Sequence, residues 1–193
     1  MKIVILSESV VKDNKTSVPS FYSKADSTLL KGGKPFFIPD FVQQCGISIH
    51  LVARISRLGK GFSVRHAYRY VDAWTLGATF TALDMLSADG LVPSCAVDFD
   101  GSTMIGDFIM KEDIDLVESK CQFLLGDDNR DGISLNGVDN MIYDSVSRLS
   151  WFFTWKQGDL LFSAPLSTKK SVKVNEHILC KVNNQLLLDF NIK

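Results

Sequence analysis

The stretch Ile47-Ser-Ile-His-Leu-Val-Ala-Arg-Ile-Ser-Arg-Leu-Gly-Lys60 decides how this chain is read. Its first nine residues alternate. Ile47, Ile49, Leu51, Ala53 and Ile55 fall on one side of an extended backbone, and Ser48, His50, Val52 and Arg54 on the other. That period predicts a strand from Ile47 to Ile55, ended by a turn at Leu58-Gly59-Lys60-Gly61. Ser48 and His50 share the second face.

Working outward, Ala67, Tyr68 and Val71 recur at helical spacing and predict a short helical segment from Val64 to Asp72. Trp74 to Ala82 returns to strand. Met104–Met110, Lys120–Leu125, Ile133–Leu135 and Leu160–Phe162 are further strand candidates. His177–Val182 and Leu186–Ile192 flank Asn183-Asn184, a two-residue hairpin signal. On the N-terminal side, Ile3–Leu6 reads as a first strand. Residues 9–33 are polar and weakly patterned, and Gly32-Gly33 turns into Lys34-Pro-Phe-Phe-Ile38. Asn140 to Trp155 is the best helix, with Ile142, Val146, Leu149 and Phe153 on one stripe, and Trp151 and Trp155, one turn apart, read as packing. Many strands with two modest helices predict a β-rich α+β fold. Residues 1–193 are expected to form one domain, with 1–40 a strand-and-loop segment packed on it.

Composition narrows the function. The chain has 193 residues, is 46% hydrophobic and 22% charged, and carries 21 Lys and Arg against 22 Asp and Glu, which excludes a disordered or strongly basic protein. No nucleic-acid or membrane partner is expected from that balance, and no segment has the apolar length of a membrane span. The acids are unevenly placed: none lies between Asp40 and Asp72, where Arg54, Arg57, Lys60, Arg65 and Arg69 stand instead. Cys45, Cys95, Cys121 and Cys180 never form Cys-x-x-Cys, and with no signal-peptide core at the N-terminus they read as free thiols of a cytoplasmic protein.

Isolated motifs carry little. Asp127, Asn129, Asp131 and Gly132 open like a calcium loop, but Val138 stands where the closing acid is needed, so a polar hairpin tip is expected. Gly59-Lys60-Gly61 lacks a phosphate-loop frame. Lys169, Lys170 and Lys173 lie in a Ser/Thr-rich stretch without aromatics and read as a solvated loop.

The order of local sequences does more. Lys24-Ala-Asp-Ser-Thr-Leu-Leu-Lys31, Gly33-Lys-Pro-Phe-Phe-Ile-Pro-Asp40, Leu51-Val-Ala-Arg-Ile-Ser-Arg-Leu-Gly-Lys60, Ala67-Tyr-Arg-Tyr-Val-Asp-Ala73 and Leu76-Gly-Ala-Thr-Phe-Thr-Ala-Leu-Asp84 come first. Phe99-Asp100, Ile105-Gly106, Val146-Ser-Arg-Leu-Ser150 and Gly158-Asp-Leu-Leu-Phe162 follow. Taken in this order, the chain resembles the fumarylacetoacetate hydrolase family, particularly its short single-domain bacterial members. The resemblance implies the mixed β-sandwich roll of that family's C-terminal domain, a homodimer, and metal-dependent hydrolysis, isomerisation or decarboxylation of acylpyruvate-like oxo-acids.

The family's chemistry needs three carboxylates around Mg or Mn, since hard cations take anionic oxygen ligands. By the resemblance, the ligand positions here are Ser48, His50 and Thr79. The family's Arg is replaced by Leu83 and its Lys by Val97, while Lys24 is retained. The usual N-terminal Gly-x-Asn-Tyr-like stretch is Ser7-Glu8-Ser9-Val10, the Gly-Thr-Pro loop is Ser163-Ala-Pro-Leu166, and the lid region between Asp84 and Phe99 is a few residues short. Hydroxyls are weak ligands and imidazole does not suit Mg, so no metal cofactor is expected. Charges of both signs have left together, which spares the chain an unpaired buried cation.

The expectation is therefore a non-catalytic relative that keeps fold and dimer and either binds a small molecule in a remnant pocket or pairs with an active relative. The pocket candidates are Lys24, Ser48, His50, Thr79 and Asp98. His50, Ser48 and Thr79 are expected as hydrogen-bonding residues, and Asp84 and Asp100 as turn or cap partners. The alternative is a Mg- or Mn-dependent hydrolase, isomerase or decarboxylase of an oxo-acid with a rearranged site that recruits Asp84 or Asp98.

Overall fold

This computed structural model describes residues 1–12, 17–31, 33–86 and 92–193. In chain order its strands and helices are β1 (Ile3–Lys12), β2 (Ser17–Lys24), β3 (Leu29–Lys31), β4 (Cys45–Ile55), α1 (Val64–Ala67), β5 (Val71–Ala82), α2 (Ser94–Val97), β6 (Thr103–Ile105), β7 (Ile109–Met110), β8 (Lys120–Leu125), β9 (Asp128–Ser134), α3 (Val138–Leu149), β10 (Leu160–Phe162), β11 (Ser167–Lys169), β12 (His177–Val182) and β13 (Gln185–Asn191). Single 3-10 turns cover Asp26–Thr28, Tyr68–Tyr70, Leu83–Met85 and Lys111–Asp113.

Among the described residues, the larger sheet runs β2-β1-β10-β4-β5-β6-β3, with β11 added to β4 and β7 to β5, and a four-stranded sheet runs β13-β12-β8-β9. The pairs β1–β10 and β3–β6 are parallel and the rest antiparallel, so the sheet is mixed. This is the β-rich fold with few helices that the sequence predicts. The long pair β4–β5 is its spine. Ile47, Ile49, Leu51, Ala53 and Ile55 of β4 enter the main core with Phe123, Leu125, Ile178, Cys180 and Phe190 of the smaller sheet. The opposite face of the large sheet buries Val52 with Ile3, Ile5, Ile105, Leu160 and Phe162 in a second cluster. Both faces of β4 are therefore covered, and the polar side chains on its second face must find partners inside the protein.

Gly77 of β5 sits directly opposite His50. A Cβ there would lie 2.5 Å from the Phe162 ring and 2.7 Å from a Val52 methyl. The missing side chain lets Phe162 pack edge-on against the His50 ring, with centroids 5.7 Å apart. Gly77→Ala is expected to destabilise the fold by about 1–3 kcal/mol through overpacking, seen as a lower midpoint in urea unfolding. An unchanged midpoint would show that Phe162 can move freely.

Several local readings are corrected. The helical segment predicted from Val64 to Asp72 is the single turn α1 followed by the 3-10 turn, and β5 already starts at Val71. The strand Met104–Met110 is two pieces, β6 and β7, both paired with β5. The weakly patterned residues 9–33 contain β2 and β3, and β1 continues to Lys12, because hairpin pairing supplies order that local alternation does not. The strand Ile133–Leu135 is the end of the longer β9, which stops at Ser134; of the calcium-like residues only Asp127 stands in the turn from β8, while Asn129, Asp131 and Gly132 belong to β9 itself. There Asp131 accepts the Gly132 N–H rather than facing a cation site. The helix Asn140–Trp155 ends at Leu149, so Trp155 is buried beneath α3 and donates its indole N–H to Val146 O (2.9 Å), whereas Trp151 is 68% exposed. The Asn183-Asn184 hairpin is as read, with positive φ at both residues. The Gly32 half of the predicted turn, and part of the shortened segment between Asp84 and Phe99, lie outside the described residues.

Candidate functional site

Directly paired residues in adjacent strands present their side chains on the same face. Thr168 of β11 pairs with Ser48 of β4, Ser48 with Thr79 of β5, and Thr79 with Thr103 of β6. Four hydroxyl side chains thus stand abreast across four strands. Ser48 and Thr168 bond each other (3.1 Å), and Thr103 bonds Thr28 (3.1 Å). Thr168 is exposed and Ser48 half-buried, whereas Thr79 and Thr103 are buried, so the row runs from solvent into the protein.

His50, two residues on from Ser48, lies over this row and is 1% exposed. Its Nδ1 is 2.7 Å from the Ser163 carbonyl oxygen and its Nε2 is 2.9 Å from Thr79 Oγ1. A carbonyl only accepts, so Nδ1 carries the proton. Burial first, and the nearby Lys24 charge as well, push the imidazole down to about 4 against the opposing pull of the Ser163 hydrogen bond, so the ring is neutral at pH 7. Nε2 is then an acceptor and Thr79 donates to it. Tyr22 also hydrogen-bonds Thr79, and burial raises the phenol to about 12. The Thr79 proton is committed to His50, so Tyr22 is the donor. The result is one directed chain from Tyr22 to Thr79 to His50 to the Ser163 carbonyl.

Lys24 shares a face of β2 with Tyr22, two residues away. It is 4% exposed and donates to Ser102 O at 2.7 Å. Burial lowers its amine to about 7, against the raising effect of Asp98. Asp98 itself accepts the Ala25 N–H at 2.7 Å. Asp84 accepts the Gln44 N–H at 3.0 Å, a hydrogen bond that lowers its carboxyl. Leu83 fills the space beside Gly46, and Val97 is buried.

The structure therefore gathers Ser48, His50, Thr79 and Lys24, with Asp98 close enough to act on the Lys24 charge and held by the Ala25 N–H just past β2. Sequence reasoning missed Tyr22, Ser102, Thr103 and Thr168, and noted Ser163 only as a changed loop. Strand register places Thr103 and Thr168, whereas hydrogen bonds between segments that register does not align bring in Tyr22, Ser102 and Ser163. Among the described residues, no group of three His, Cys, Asp or Glu is placed to hold a metal ion. Both His50 nitrogens are occupied within the chain, and Ser48 and Thr79 offer neutral hydroxyls. This donor set does not fit a hard divalent cation.

The molecule belongs to the class of mixed β-roll proteins whose polar site is built across paired strands of the central sheet. Comparison specifies it. The family model described as fumarylacetoacetate (FAA) hydrolase C-terminal matches residues 5–184. The chain belongs to the fumarylacetoacetate hydrolase family. A comparison with curated proteins found no match. Among solved structures, a fumarylpyruvate hydrolase from Pseudomonas aeruginosa in complex with Mn2+ and pyruvate superposes with a TM-score of 0.82 at 18% identity, covering 100% of this chain and 89% of that one. A 5-carboxymethyl-2-hydroxymuconate delta-isomerase from Mycobacterium smegmatis gives 0.81 at 17% identity, over 99% of this chain and 76% of that one. A 2-hydroxyhepta-2,4-diene-1,7-dioate isomerase from Mycobacterium marinum gives 0.80 at 16% identity, over 99% and 73%. No helix among the described residues is long and apolar enough to cross a membrane.

Proposed function

We propose that this chain is a non-catalytic member of the family that binds a small polar molecule at the Ser48–Thr168 end of the hydroxyl row. We place it in the cytoplasm as a homodimer, able to pair with an active relative. The observation that carries the reading is the occupation of both His50 ring nitrogens by Thr79 and Ser163, at the centre of the family's ligand positions. A carboxylate at position 50 would lie near the buried Lys24 and could hold a metal; a directed chain of neutral groups holds itself together instead. The acids that a rearranged metal site would recruit are engaged elsewhere, Asp98 on the Ala25 N–H and Asp84 on the Gln44 N–H.

The test is an assay of fumarylpyruvate cleavage by the full chain with added Mn2+, beside calorimetric titration of the metal. Fumarylpyruvate and Mn2+ are the obvious probes because the Pseudomonas aeruginosa relative is a fumarylpyruvate hydrolase that holds this ion and pyruvate. The expected result is neither turnover nor saturable metal binding. Turnover that scales with Mn2+ and is lost on chelation would overturn the proposal in favour of an oxo-acid enzyme. Light scattering on the same sample is expected to report the mass of a dimer, and a monomer would remove that part of the reading.

A further inference from the structure

The polar site does not account for a cluster of large apolar side chains at the far end of α3. Leu58 is 69% exposed, Trp151 68% and Phe152 60%. They stand on two neighbouring segments, the 58–61 turn and the turn that follows α3. Backbone hydrogen bonds lock the segments together: Gly61 N–H donates to Ser150 O (2.9 Å), Gly59 N–H to Trp155 O (3.1 Å), and Trp155 N–H to Gly59 O (2.9 Å). Gly61 lies against the Trp151 ring, where a Cβ would be 3.5 Å away. The apolar cluster is thus presented on a firm base.

Cations frame it. Arg57, Lys60 and Arg65 are exposed on the same stretch of chain, which contains no acid from 41 to 71. Among the described residues, none of these three forms an ion pair. Acids on the adjoining segments are already engaged: Asp144 with Arg148 at 2.6 Å, and the buried Asp159 with Lys2 at 2.7 Å. The uneven acid distribution in the sequence therefore becomes a surface that is both apolar and positive.

We propose that this surface docks an acidic segment of another protein. Trp151 and Leu58 serve as apolar anchors, and Arg57, Lys60 and Arg65 meet carboxylates. Exposed tryptophan with arginine, and no acid, is the composition of protein-interface centres. A second copy of this chain is disfavoured here, because a two-fold contact through this face would set its cations against themselves. Charge complementarity instead selects a partner that supplies acids between apolar residues.

The test uses the full chain and a synthetic peptide alternating Glu with Leu and Phe. Trp74 and Trp155 are buried, so Trp151 is the exposed reporter. Its emission is expected to shift to the blue and saturate with this peptide, and to stay put with the same peptide carrying Gln for Glu. Anisotropy of the labelled peptide should show binding weakened about tenfold by Trp151→Ala, and about tenfold by Arg57→Glu with Arg65→Glu. Added salt should weaken it as well. All these positions are exposed, so the variants should melt with the parent. No saturable binding would overturn the proposal. Binding instead to phosphatidylserine vesicles would overturn it in favour of a lipid surface. A dimer dissociated by Trp151→Ala would overturn it in favour of an interface between copies. None of these outcomes bears on the metal and turnover tests of the polar site.

Discussion

Combining Ser48→Glu, His50→Glu and Thr79→Asp is expected to create a Mn2+ site, tightening binding about a hundredfold or more over the parent chain as carboxylate charge accumulates. The reasoning is positional. Ser48 and His50 are two apart on β4 and share a face, and Thr79 stands opposite Ser48 in register, so the three carboxylates would converge. The same substitutions dismantle the chain from Tyr22 to Ser163, and Lys24 gains acidic neighbours that should raise its lowered amine. Calorimetric titration with Mn2+ reads the result, with circular dichroism to confirm folding. A folded variant with no Mn2+ affinity would show that the positions are not at ligand geometry. Equal binding by parent and variant would show that the parent's metal chemistry was never lost.

Acid is expected to weaken the fold through one residue. In the unfolded chain His50 takes up its proton near 6.5, whereas in the folded chain burial delays this to about 4. Between these values the unfolded state holds more protons, so stability is full above pH 6.5 and falls as the pH drops toward 4. A displacement of this size corresponds to about 3 kcal/mol at the acid end. Lys24 acts in a separate window. Its amine is lowered from 10.5 to about 7, so the unfolded state again holds the extra proton, and this contribution to stability grows as pH rises from about 7 toward 10.5. Urea unfolding of the parent and of His50→Gln across pH 4 to 7 isolates the histidine, because glutamine does not titrate. The variant is expected to lose most of the slope between about 6.5 and 4 that the parent shows. Parallel slopes would mean that His50 protonates in the folded state as easily as in the unfolded one.

Local alternation makes β4 legible, and β8 and β12 bury every second residue in the same way, whereas β10 is legible as a short continuous apolar run buried on both faces. It failed where pairing carries the order. β3 has three residues and no pattern of its own, yet parallel pairing with β6 holds it. The end of α3 was misplaced for a related reason. The apolar spacing of Phe153 and Trp155 continues the helical stripe, but Ser150 turns the chain by bonding back to Ser147 O at 2.6 Å while accepting the Phe62 N–H. Trp151 therefore swings outward and Trp155 inward, reversing the reading of one of the two.

The candidate site divides in the same way. That Ser48, His50 and Thr79 carry no carboxylate could be read from the chain alone, because side-chain chemistry belongs to the residue. Which proton goes where could not. Tyr22, Thr79, His50 and Ser163 are separated by up to 141 positions in the chain, and only folding brings their atoms into hydrogen-bond range. The sequence by itself determined the β-rich architecture, the family order of segments and the neutral side chains at positions 48, 50 and 79. The tertiary structure decided that the replacement groups satisfy one another, that Lys24 is buried beside them, and that the acid-free stretch surrounds an exposed tryptophan. Composition and period are local properties of the chain, while hydrogen-bond partners, burial and surface charge depend on residues that folding brings together.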